Sequence, residues 1–372
     1  MFTSFSVKNY KCLADVTLPL TPVHVLIGQN DTGKSSLLEA MVAFGTVCRN
    51  PQTHIDTVFA TPEKQLPQLV WHGSAQRSVH LEAELRVRPD SSGLWQLKMA
   101  FRLDTTEGLQ SFKCDDHEFL DGSPPRGYRY VDNRVQRIEQ AGDFVVLRFQ
   151  PKLMALPSAI TTPRTYRLQS DGFGLPTLVD EITGFDVQRF IELQSAFCEF
   201  FPQFQRIKLE PVEAFARTAS AVGAATFTPT TGKEIRLVTK TGEIRLQQAS
   251  DGVILLLGFL ALTFAPNPPR LLLIEEPENG IYPQRLREIA QLLKRFAAEQ
   301  ENAPQIVLTT HSPYLLSEFQ PEEVTLMCRQ ADGSVRARPL RDAPNIRKRM
   351  EGGFYLGELW YNLTEQELFG DT

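Results

Sequence analysis

Hydrophobic and polar residues follow distinct patterns along the chain, and together they predict an α/β fold. Short apolar runs end at Ile27, Ile274 and Leu308, and each is followed by turn-forming or charged residues. Runs of this length are typical of strands buried on both faces of a parallel sheet. Residues 78–87 instead alternate between apolar and polar side chains, which predicts an antiparallel strand with one solvated face. Apolar residues at helical spacing over 37–44 predict a helix after the first run.

Residues 28–35 carry the strongest chemical motif of the chain. Their sequence, Gly-Gln-Asn-Asp-Thr-Gly-Lys-Ser, matches the phosphate loop G-x-x-x-x-G-K-[ST] and lies between the first apolar run and the predicted helix. Backbone N–H groups of such a loop and of the helix N-terminus cradle phosphates, Lys34 reaches the β- and γ-phosphates, and Ser35 offers its hydroxyl to Mg²⁺. The residues predicted to bind ATP here are Gly28, Asn30, Asp31, Thr32, Gly33, Lys34, Ser35 and Ser36.

Two further apolar runs end in residues suited to phosphoryl transfer. Glu275 and Glu276 follow the run that ends at Ile274. Glu275 is predicted to hold Mg²⁺ through its water shell, and Glu276 to orient and polarise the attacking water. His311 follows the third run and is predicted to sense the γ-phosphate. Taken alone, these segments also fit a solvated acidic strand end and a structural histidine.

A second anion site is predicted at residues 249–252. The sequence Ala-Ser-Asp-Gly precedes the apolar run 253–262, which predicts a helix with Ser250 as its N-cap and Gly252 in its first turn. The open N–H donors of such a terminus attract anions. Since one ATP rarely needs two such sites from one chain, we expect this segment to cover the nucleotide of a partner, so that two chains sandwich two ATP molecules. A capped core helix is the simpler alternative.

The order of these motifs resembles that of a known family. Residues 28–35, 249–252, 274–280 (Ile-Glu-Glu-Pro-Glu-Asn-Gly) and 309–313 (Thr-Thr-His-Ser-Pro) are similar to the motifs of the ABC-type AAA family ATPases related to the OLD, RecF and SMC proteins. The opening strand, Phe5 to Cys12, and the segment Gly357 to Tyr361 resemble the beginning and the ending of these heads. The resemblance implies a magnesium-dependent ATPase.

The resemblance also assigns roles to single residues. It implies that Ser250 and Gly252 act in trans as the signature motif, that His311 is the switch histidine, and that Asn279 and Gly280 lie in the loop that crosses the dimer seam.

Other positions are assigned less directly by the resemblance. Tyr10 and Lys11 are implied to lie near the base or the phosphates. Glu275 stands where many relatives have aspartate, and its extra methylene suggests a water-mediated metal contact, as in the OLD-like branch. Gln150 is a candidate for the glutamine-loop residue. Residues 249–252 lack the Leu-Ser-Gly-Gly-Gln signature sequence of transporter ATPases, which argues against a transporter subunit.

The predicted architecture is a single ABC-type ATPase head over residues 1–372. Its fold class is α/β, a P-loop NTPase with a mixed or parallel sheet core, an antiparallel β subdomain and a helical signature lobe. The predicted parts are 1–48 and 268–372 for the nucleotide-binding core, 77–150 for the antiparallel β insertion, and 184–266 for the helical signature lobe. Within that lobe, 186–200 has helical spacing, and a repeated Glu-Ile-Arg-Leu at 234–237 and 243–246 predicts a hairpin that leads to the signature helix.

Composition adds to this picture. The chain has 372 residues, 42% of them hydrophobic, which is enough to bury a large core. Its longest apolar stretch, 253–265, is too short to span a bilayer, and no signal sequence opens the chain, so we expect a cytoplasmic protein without a membrane partner. Five separated cysteines without a C-x-x-C pair predict neither a zinc site nor a disulfide framework.

Charge is the only sequence feature that bears on further ligands. A net charge of −5 argues against indiscriminate nucleic-acid binding. However, basic residues outnumber acidic ones over 329–349, and basic and aromatic residues are interleaved over 126–130, followed by Arg134 and Arg137. Such surfaces suit the phosphates and unstacked bases of DNA or RNA. Solvated surface or contact with a partner protein is the alternative.

Three biological roles fit the sequence. The segment after His311 is too short for the nuclease domain that OLD proteins carry behind the head, so the first role is a regulatory ATPase subunit in anti-phage defence with a separate effector, a nuclease or toxin encoded nearby. The second is a RecF-like DNA repair clamp loader or end binder. The third is a nucleotide-gated scaffold with negligible turnover.

Overall fold

The chain divides into two compact units in the computed structural model. The described residues are 1–50, 55–59, 68–75, 78–87, 95–104, 112–119, 142–160, 164, 166–218, 226–298, 303–364 and 367–368. The first unit comprises Met1–Val146, Pro269–Ile274 and Ala303–Thr372, and the second comprises Leu147–Pro268 and Glu275–Asn302. Both units are discontinuous in sequence.

Strands and helices are distributed over both units. The strands are Phe2–Tyr10 (β1), Leu13–Pro19 (β2), Val23–Ile27 (β3), Ser78–Val87 (β4), Trp95–Asp104 (β5), Phe112–Phe119 (β6), Phe144–Leu147 (β7), Ser158–Ala159 (β8), Phe204–Thr218 (β9), Thr226–Thr239 (β10), Glu243–Arg245 (β11), Leu271–Glu275 (β12), Gln305–Thr309 (β13), Val324–Arg329 (β14) and Val335–Pro339 (β15). The helices are Lys34–Arg49 (α1), Ile55–Val58 (α2), Pro151–Met154 (α3), Leu175–Phe185 (α4), Val187–Phe200 (α5), Asp251–Phe264 (α6), Pro283–Ala298 (α7), Pro313–Leu316 (α8), Ile346–Glu351 (α9) and Leu356–Asn362 (α10).

A six-stranded mixed sheet forms the centre of the first unit, with the strand order β15-β14-β3-β13-β12-β7. β13 and β14 run parallel to β3, and β15 runs antiparallel to β14. All residues of β3 and β13 are buried, as expected for central parallel strands. The backbone N–H of Gln305 donates to the carbonyl of Arg270 at 3.0 Å, so β12 and β13 begin at the same end of the sheet.

The other sheet of the first unit is antiparallel, with the order β2-β1-β4-β5-β6. The buried ring of Phe44 on α1 packs edge-on against Phe5 and Phe101, at centroid distances of 5.7 and 5.0 Å. Gln305 links β13 to β1, because its amide group donates to the carbonyl of Phe2 and accepts from the N–H of Phe2, each at 2.8 Å. α1 is therefore anchored in a core to which both sheets contribute.

A buried histidine lies in the strand that leads to the phosphate loop. The Nε2 of His24 lies 2.9 Å from the Thr325 hydroxyl and its Nδ1 lies 3.2 Å from the Thr21 hydroxyl. Burial, assisted by the charge of Arg341, lowers the pKa of His24 to about 3. The imidazole is therefore neutral at physiological pH and serves as a hydrogen-bonding link between β3 and β14.

The second unit combines a β sheet with a set of packed helices. β9 and β10 form a long antiparallel hairpin, whose register runs from Thr218 opposite Thr226 to Phe204 opposite Thr239, and β11 pairs with the end of β10. Residues 253–262 of α6 are all buried, which identifies α6 as a core helix of this unit. Asp186 caps α5, its carboxylate accepting from the N–H of Gln188 at 2.8 Å.

The predicted fold class is confirmed: the mixed sheet, the antiparallel sheet and the helical part are all present. The hairpin at 234–246 and the helix after Asp186 are also confirmed. The first arm of that hairpin is longer than the repeat suggested, because β10 pairs with β9 over its whole length. Among the helices of the described residues, none has the length and apolarity needed to cross a membrane.

Candidate nucleotide-binding site

The phosphate loop of the first unit connects β3 to α1. Gly28 has φ +151°, and a Cβ at this position would lie 2.3 Å from the Met327 carbonyl oxygen, so only glycine fits beside β14. Asp31 and Gly33 also have positive φ, 61° and 79°, and the carbonyl of Gly33 accepts the first bond of α1 from the N–H of Leu37 at 2.9 Å. These turns give the loop the concave shape that the motif predicts.

Lys34 lies inside the curve of this loop. Its side chain is buried, and its ammonium group donates to the carbonyls of Gly28 at 2.9 Å and Gln29 at 2.7 Å. The hydroxyl of Thr32 also donates to the Gln29 carbonyl, at 2.8 Å. The loop is therefore preformed around a cation. Gln29, Asn30, Asp31 and Ser35 are exposed, and Ser36 is half-buried.

His311 emerges near the phosphate loop within the first unit. Thr309 of β13 is paired with Leu26 of β3, and the N–H of Thr310 donates to the Leu26 carbonyl at 3.1 Å. His311 therefore leaves its strand next to the point where β3 leads into Gly28. It is half-buried. The following residue, Ser312, caps α8 with its side chain and fixes the direction of the chain after the histidine.

Lys11 and Tyr10 are engaged with α1. The ammonium group of Lys11 forms an ion pair with Glu39 and lies 5.4 Å from the centre of the Tyr10 ring. Tyr10 is 1% exposed and stacks on Phe59 at 5.3 Å. Burial, together with the neighbouring Glu39 carboxylate, raises the pKa of Tyr10. The Tyr10 ring is therefore part of the core and offers no free face for stacking on a base.

In the second unit, Glu275 is paired with an arginine. A guanidinium nitrogen of Arg148 donates to Oε1 of Glu275 at 2.6 Å. The carboxylate side chain is 15% exposed, whereas that of the arginine is 52% exposed. Glu275 therefore has one carboxylate oxygen held by a guanidinium group at the end of β12.

Glu276 has an unusual backbone and a fixed side chain. Its φ is 45°, a left-handed conformation that is uncommon for residues other than glycine and costs free energy. The side-chain amide of Asn279 donates to Oε2 of Glu276 at 2.7 Å, and the Asn279 N–H donates to the Glu276 carbonyl at 3.1 Å. Strained residues that are held by specific bonds concentrate at functional sites, which supports the assignment of Glu276.

Ser250 and Gly252 lie at the start of α6 in the second unit. Ser250 occupies the N-cap position, but its side chain makes no capping hydrogen bond, and it is exposed. A Cβ at Gly252 would meet only the Gly280 carbonyl, at 3.7 Å, so packing inside the protomer does not require glycine there. A Cβ at Gly280 would lie 3.3 Å from that of Asp251. The Asn279–Gly280 loop therefore adjoins the signature segment within one chain.

Sequence reasoning missed Arg148 and the contact of Asn279 with Glu276. Arg148 and Gln150 lie on either side of Phe149, whose ring packs on Phe259 at 5.0 Å. This alternation was a signal that Arg148 shares a face with Gln150. Its partner could not be inferred, because Arg148 and Glu275 are 127 positions apart in the chain. Gln150 is exposed.

The hydroxyl of Ser35 in the first unit and the carboxylate of Glu275 in the second are each an oxygen donor of the kind that Mg²⁺ prefers, and Mg²⁺ usually takes further ligands from water and substrate phosphates. Among the described residues, no group of three or more His, Cys, Asp or Glu side chains could hold a metal ion. Single donors of this kind suit a metal that arrives with a nucleotide.

The two predicted basic segments differ in how far they can be described. Residues 126–130, Arg134 and Arg137 lie outside the described residues. In the second segment, the exposed cations are Arg329, Arg336, Arg341, Arg347, Lys348 and Arg349. Some of them have partners: Arg347 pairs with Glu322, and a guanidinium N–H of Arg329 donates to the Asp31 carbonyl at 3.3 Å.

The fold and the phosphate loop define a P-loop NTPase with an ABC-type head. A family model described as "AAA domain, putative AbiEii toxin, Type IV TA system" matches residues 165–317, and one described as "AAA ATPase domain" matches residues 1–79. The first match includes Ser250, Glu275, Glu276 and His311, and the second includes the phosphate loop.

The chain is also similar to individual proteins, in sequence to an OLD nuclease and in fold to two Smc heads. The OLD nuclease of Thermus scotoductus is 23% identical over 390 residues, which cover 95% of this chain and 68% of that protein. The structure of an Smc head bound to the C-terminal winged-helix domain of ScpA has a TM-score of 0.58 at 14% identity, covering 92% of this chain and 99% of that one. An Smc head with an extended coiled coil from Pyrococcus furiosus, bound to the C-terminal domain of ScpA, has a TM-score of 0.54 at 12% identity, with 94% and 99% covered. The two family models and the OLD nuclease agree with the resemblance to ABC-type AAA ATPases that the motifs indicated, and the Smc heads share the fold.

Proposed function

We propose that the protein is a magnesium-dependent ATPase that dimerises around ATP and works as a regulatory or clamp subunit. The observation that carries this proposal is the preformed loop around Lys34, whose ammonium group is held by the Gly28 and Gln29 carbonyls. These two backbone acceptors hold the Lys34 ammonium group at the place where the β- and γ-phosphates of ATP bind to such a loop. The exposed Ser35 at the start of α1 is free to contribute a metal ligand.

The chain's own residues supply the chemistry of hydrolysis. Glu276 accepts a proton from water as the water oxygen bonds to the γ-phosphorus, and the bond to the bridging oxygen of ADP breaks. Lys34 stabilises the negative charge that develops on the departing ADP. His311 donates a hydrogen bond to the γ-phosphate and so reports its presence. Mg²⁺ held by Ser35 and Glu275 would neutralise phosphate charge.

A partner subunit is proposed to complete each site. Ser250 has an exposed side chain that makes no capping bond, and Gly252 leaves space that its own protomer does not fill. Both features suit a phosphate approaching from outside the chain. The loop of Asn279 and Gly280 adjoins this segment and joins it to Glu276. The signature segment, residues 249–252, is thereby connected through this loop to Glu276, the proposed catalytic base. This connection couples dimerisation to hydrolysis.

A mixing experiment tests whether the site is shared. Ser250→Arg should block the signature segment, and Lys34→Ala should disable the phosphate loop, so each variant alone should have little ATPase activity. If each site uses the loop of one chain and Ser250 of the other, mixed dimers contain one complete site. An equimolar mixture should then recover about a quarter of the parent rate, because about half of the dimers are mixed. Absence of recovery, or a fully active Ser250→Arg variant, contradicts the shared site.

The proposed role is that of an anti-phage defence subunit with a separate effector. It is supported by the matched model whose description names a type IV toxin–antitoxin system, and by similarity to an OLD nuclease. Co-purification with the products of neighbouring genes tests this role. A nuclease or toxin that co-purifies supports it, whereas replication or recombination proteins favour the RecF-like alternative. If turnover is negligible although ATP binds and dimerises the chain, the nucleotide-gated scaffold is favoured.

Nucleic-acid binding is a second candidate function, favoured by exposed cations near exposed aromatic rings. Arg347, Lys348 and Arg349 lie on α9, and the rings of Phe354 and Tyr355, 53% and 63% exposed, follow in sequence. Arginine and lysine bind phosphates, and aromatic faces stack on unpaired bases. A fluorescent single strand should therefore bind at low salt, and Tyr355→Ala should weaken binding about 10-fold. Tyr282→Ala, which removes an exposed ring of the second unit, is the control. A flat isotherm at low salt excludes this function.

A further inference from the structure

The ion pair of Arg148 with Glu275 joins a residue of a predicted motif to an arginine that lies outside every motif that the sequence predicts. Arg148 donates to only one of the two carboxylate oxygens, Oε1, at 2.6 Å. The other oxygen, Oε2, remains available as an acceptor. Since a guanidinium group is planar and rigid, its bond restrains the rotation of the carboxylate.

The backbone holds Arg148 in place for this contact. Its N–H donates to the Ser170 carbonyl at 2.6 Å, and the N–H of Gln150 donates to the Asp171 carbonyl at 2.9 Å. Phe149, between them, packs on Phe259. Hydrogen bonds and ring packing thus restrain the backbone of residues 148–150, so that the Arg148 side chain extends from an ordered backbone to Glu275.

The pair is poorly suited to a purely structural role. The arginine side chain is half-exposed, and ion pairs of exposed groups contribute little to stability. The carboxylate partner, in contrast, is the residue proposed to hold Mg²⁺. Residues that orient a metal-binding group change metal affinity strongly even though they do not touch the metal.

We propose that Arg148 is a positioning residue that orients Glu275 for Mg²⁺ binding, with Oε1 held by the arginine and Oε2 presented to the metal. This inference rests on the proposed function. The positive charge of Arg148 alone would weaken the binding of Mg²⁺ by repulsion. The proposal predicts that Arg148 nevertheless strengthens Mg²⁺ binding, because it orders the Glu275 carboxylate.

The test is a titration of the full chain with Mn²⁺, followed by the electron paramagnetic resonance signal of free Mn²⁺, in the presence of a non-hydrolysable ATP analogue. Arg148→Ala should raise the Mn²⁺ concentration for half-saturation about 10- to 100-fold. Binding of a fluorescent ATP analogue in EDTA should not change, since it does not depend on Glu275. Arg148→Lys keeps the charge but replaces the rigid, planar guanidinium group by a flexible ammonium group, so it should recover only part of the affinity.

Arg285→Ala is the matched control, because it removes another ion pair of the second unit, the one with Glu288 at 2.9 Å. It should leave the Mn²⁺ requirement unchanged. An unchanged or lowered requirement in Arg148→Ala overturns the role of Arg148. If Arg148→Ala does not fold, equal Mn²⁺ affinity of Arg148→Lys and the parent overturns it instead. A parent protein that binds no Mn²⁺ with the analogue, and no analogue in EDTA, overturns the proposed function together with this inference.

Discussion

Replacing Glu276 by glutamine should lower ATP turnover by about 10²- to 10⁴-fold, because the amide cannot accept the proton of the attacking water. The substitution preserves the size of the side chain, and the glutamine oxygen can still accept the bond that Asn279 donates at 2.7 Å. ATP affinity should therefore stay close to that of the parent. Since the nucleotide is bound but not hydrolysed, ATP-bound dimers should accumulate and be visible in light scattering.

Glu278→Gln is the matched control for this experiment. It removes one carboxylate charge two residues further along the same turn, so any loss caused by general changes in charge appears in both variants. ATP turnover should fall in the Glu276→Gln variant and stay close to the parent rate in the Glu278→Gln variant. A Glu276→Gln variant that hydrolyses ATP at the parent rate would exclude this residue as the base, and equal losses in both variants would point to an electrostatic effect of the whole acidic segment.

The backbone of Glu276 adds a physical reason for its assignment. The residue adopts φ 45° directly before Pro277. A glycine or asparagine would adopt this conformation at lower cost. A strained glutamate with its side chain fixed by Asn279 is best explained by a requirement for the carboxylate at this place.

Much of the nucleotide-binding core could be predicted from sequence, because it depends on local patterns. The buried strand that ends at Ile27, the glycines of the loop and the helix from Lys34 have signals within a few residues of each other. The apolar run before His311 also predicted a buried strand that delivers this histidine to a parallel sheet, and the parallel pairing of Thr309 with Leu26 agrees with this.

Features that depend on distant pairing could not be predicted. The requirement for glycine at position 28 comes in part from the Met327 carbonyl of β14, which is far away in the chain. Lys11 is paired with Glu39, a residue whose position depends on how α1 packs. The resemblance implied that Tyr10 lies near the base or the phosphates, and its burial against Phe59 makes it a core residue. In each case, tertiary packing decides the partner of a side chain whose local pattern is uninformative.

Lys34→Ala should reduce ATP affinity by about 100-fold or more, since charge-assisted hydrogen bonds to phosphate are each worth about 1.5–3 kcal/mol. The affinity can be measured by titration with a fluorescent ATP analogue, and ATP should no longer raise the unfolding temperature of the variant. Hydrolysis should be lost as a consequence of lost binding, which distinguishes this variant from Glu276→Gln, where binding persists.

Loss of Lys34 also affects the loop itself, so a control for folding is needed. Its ammonium group satisfies the Gly28 and Gln29 carbonyls, and removing a partner from a buried carbonyl such as that of Gly28 costs about 1–3 kcal/mol. Circular dichroism should therefore show a folded but less stable variant. Lys8→Ala, which removes an exposed lysine paired with Asp15 at 2.9 Å, controls for charge in the same unit and should bind ATP normally. Normal ATP affinity in Lys34→Ala would mean that the loop around Lys34 does not hold the triphosphate, and the assignment of ATP hydrolysis to this chain would be wrong.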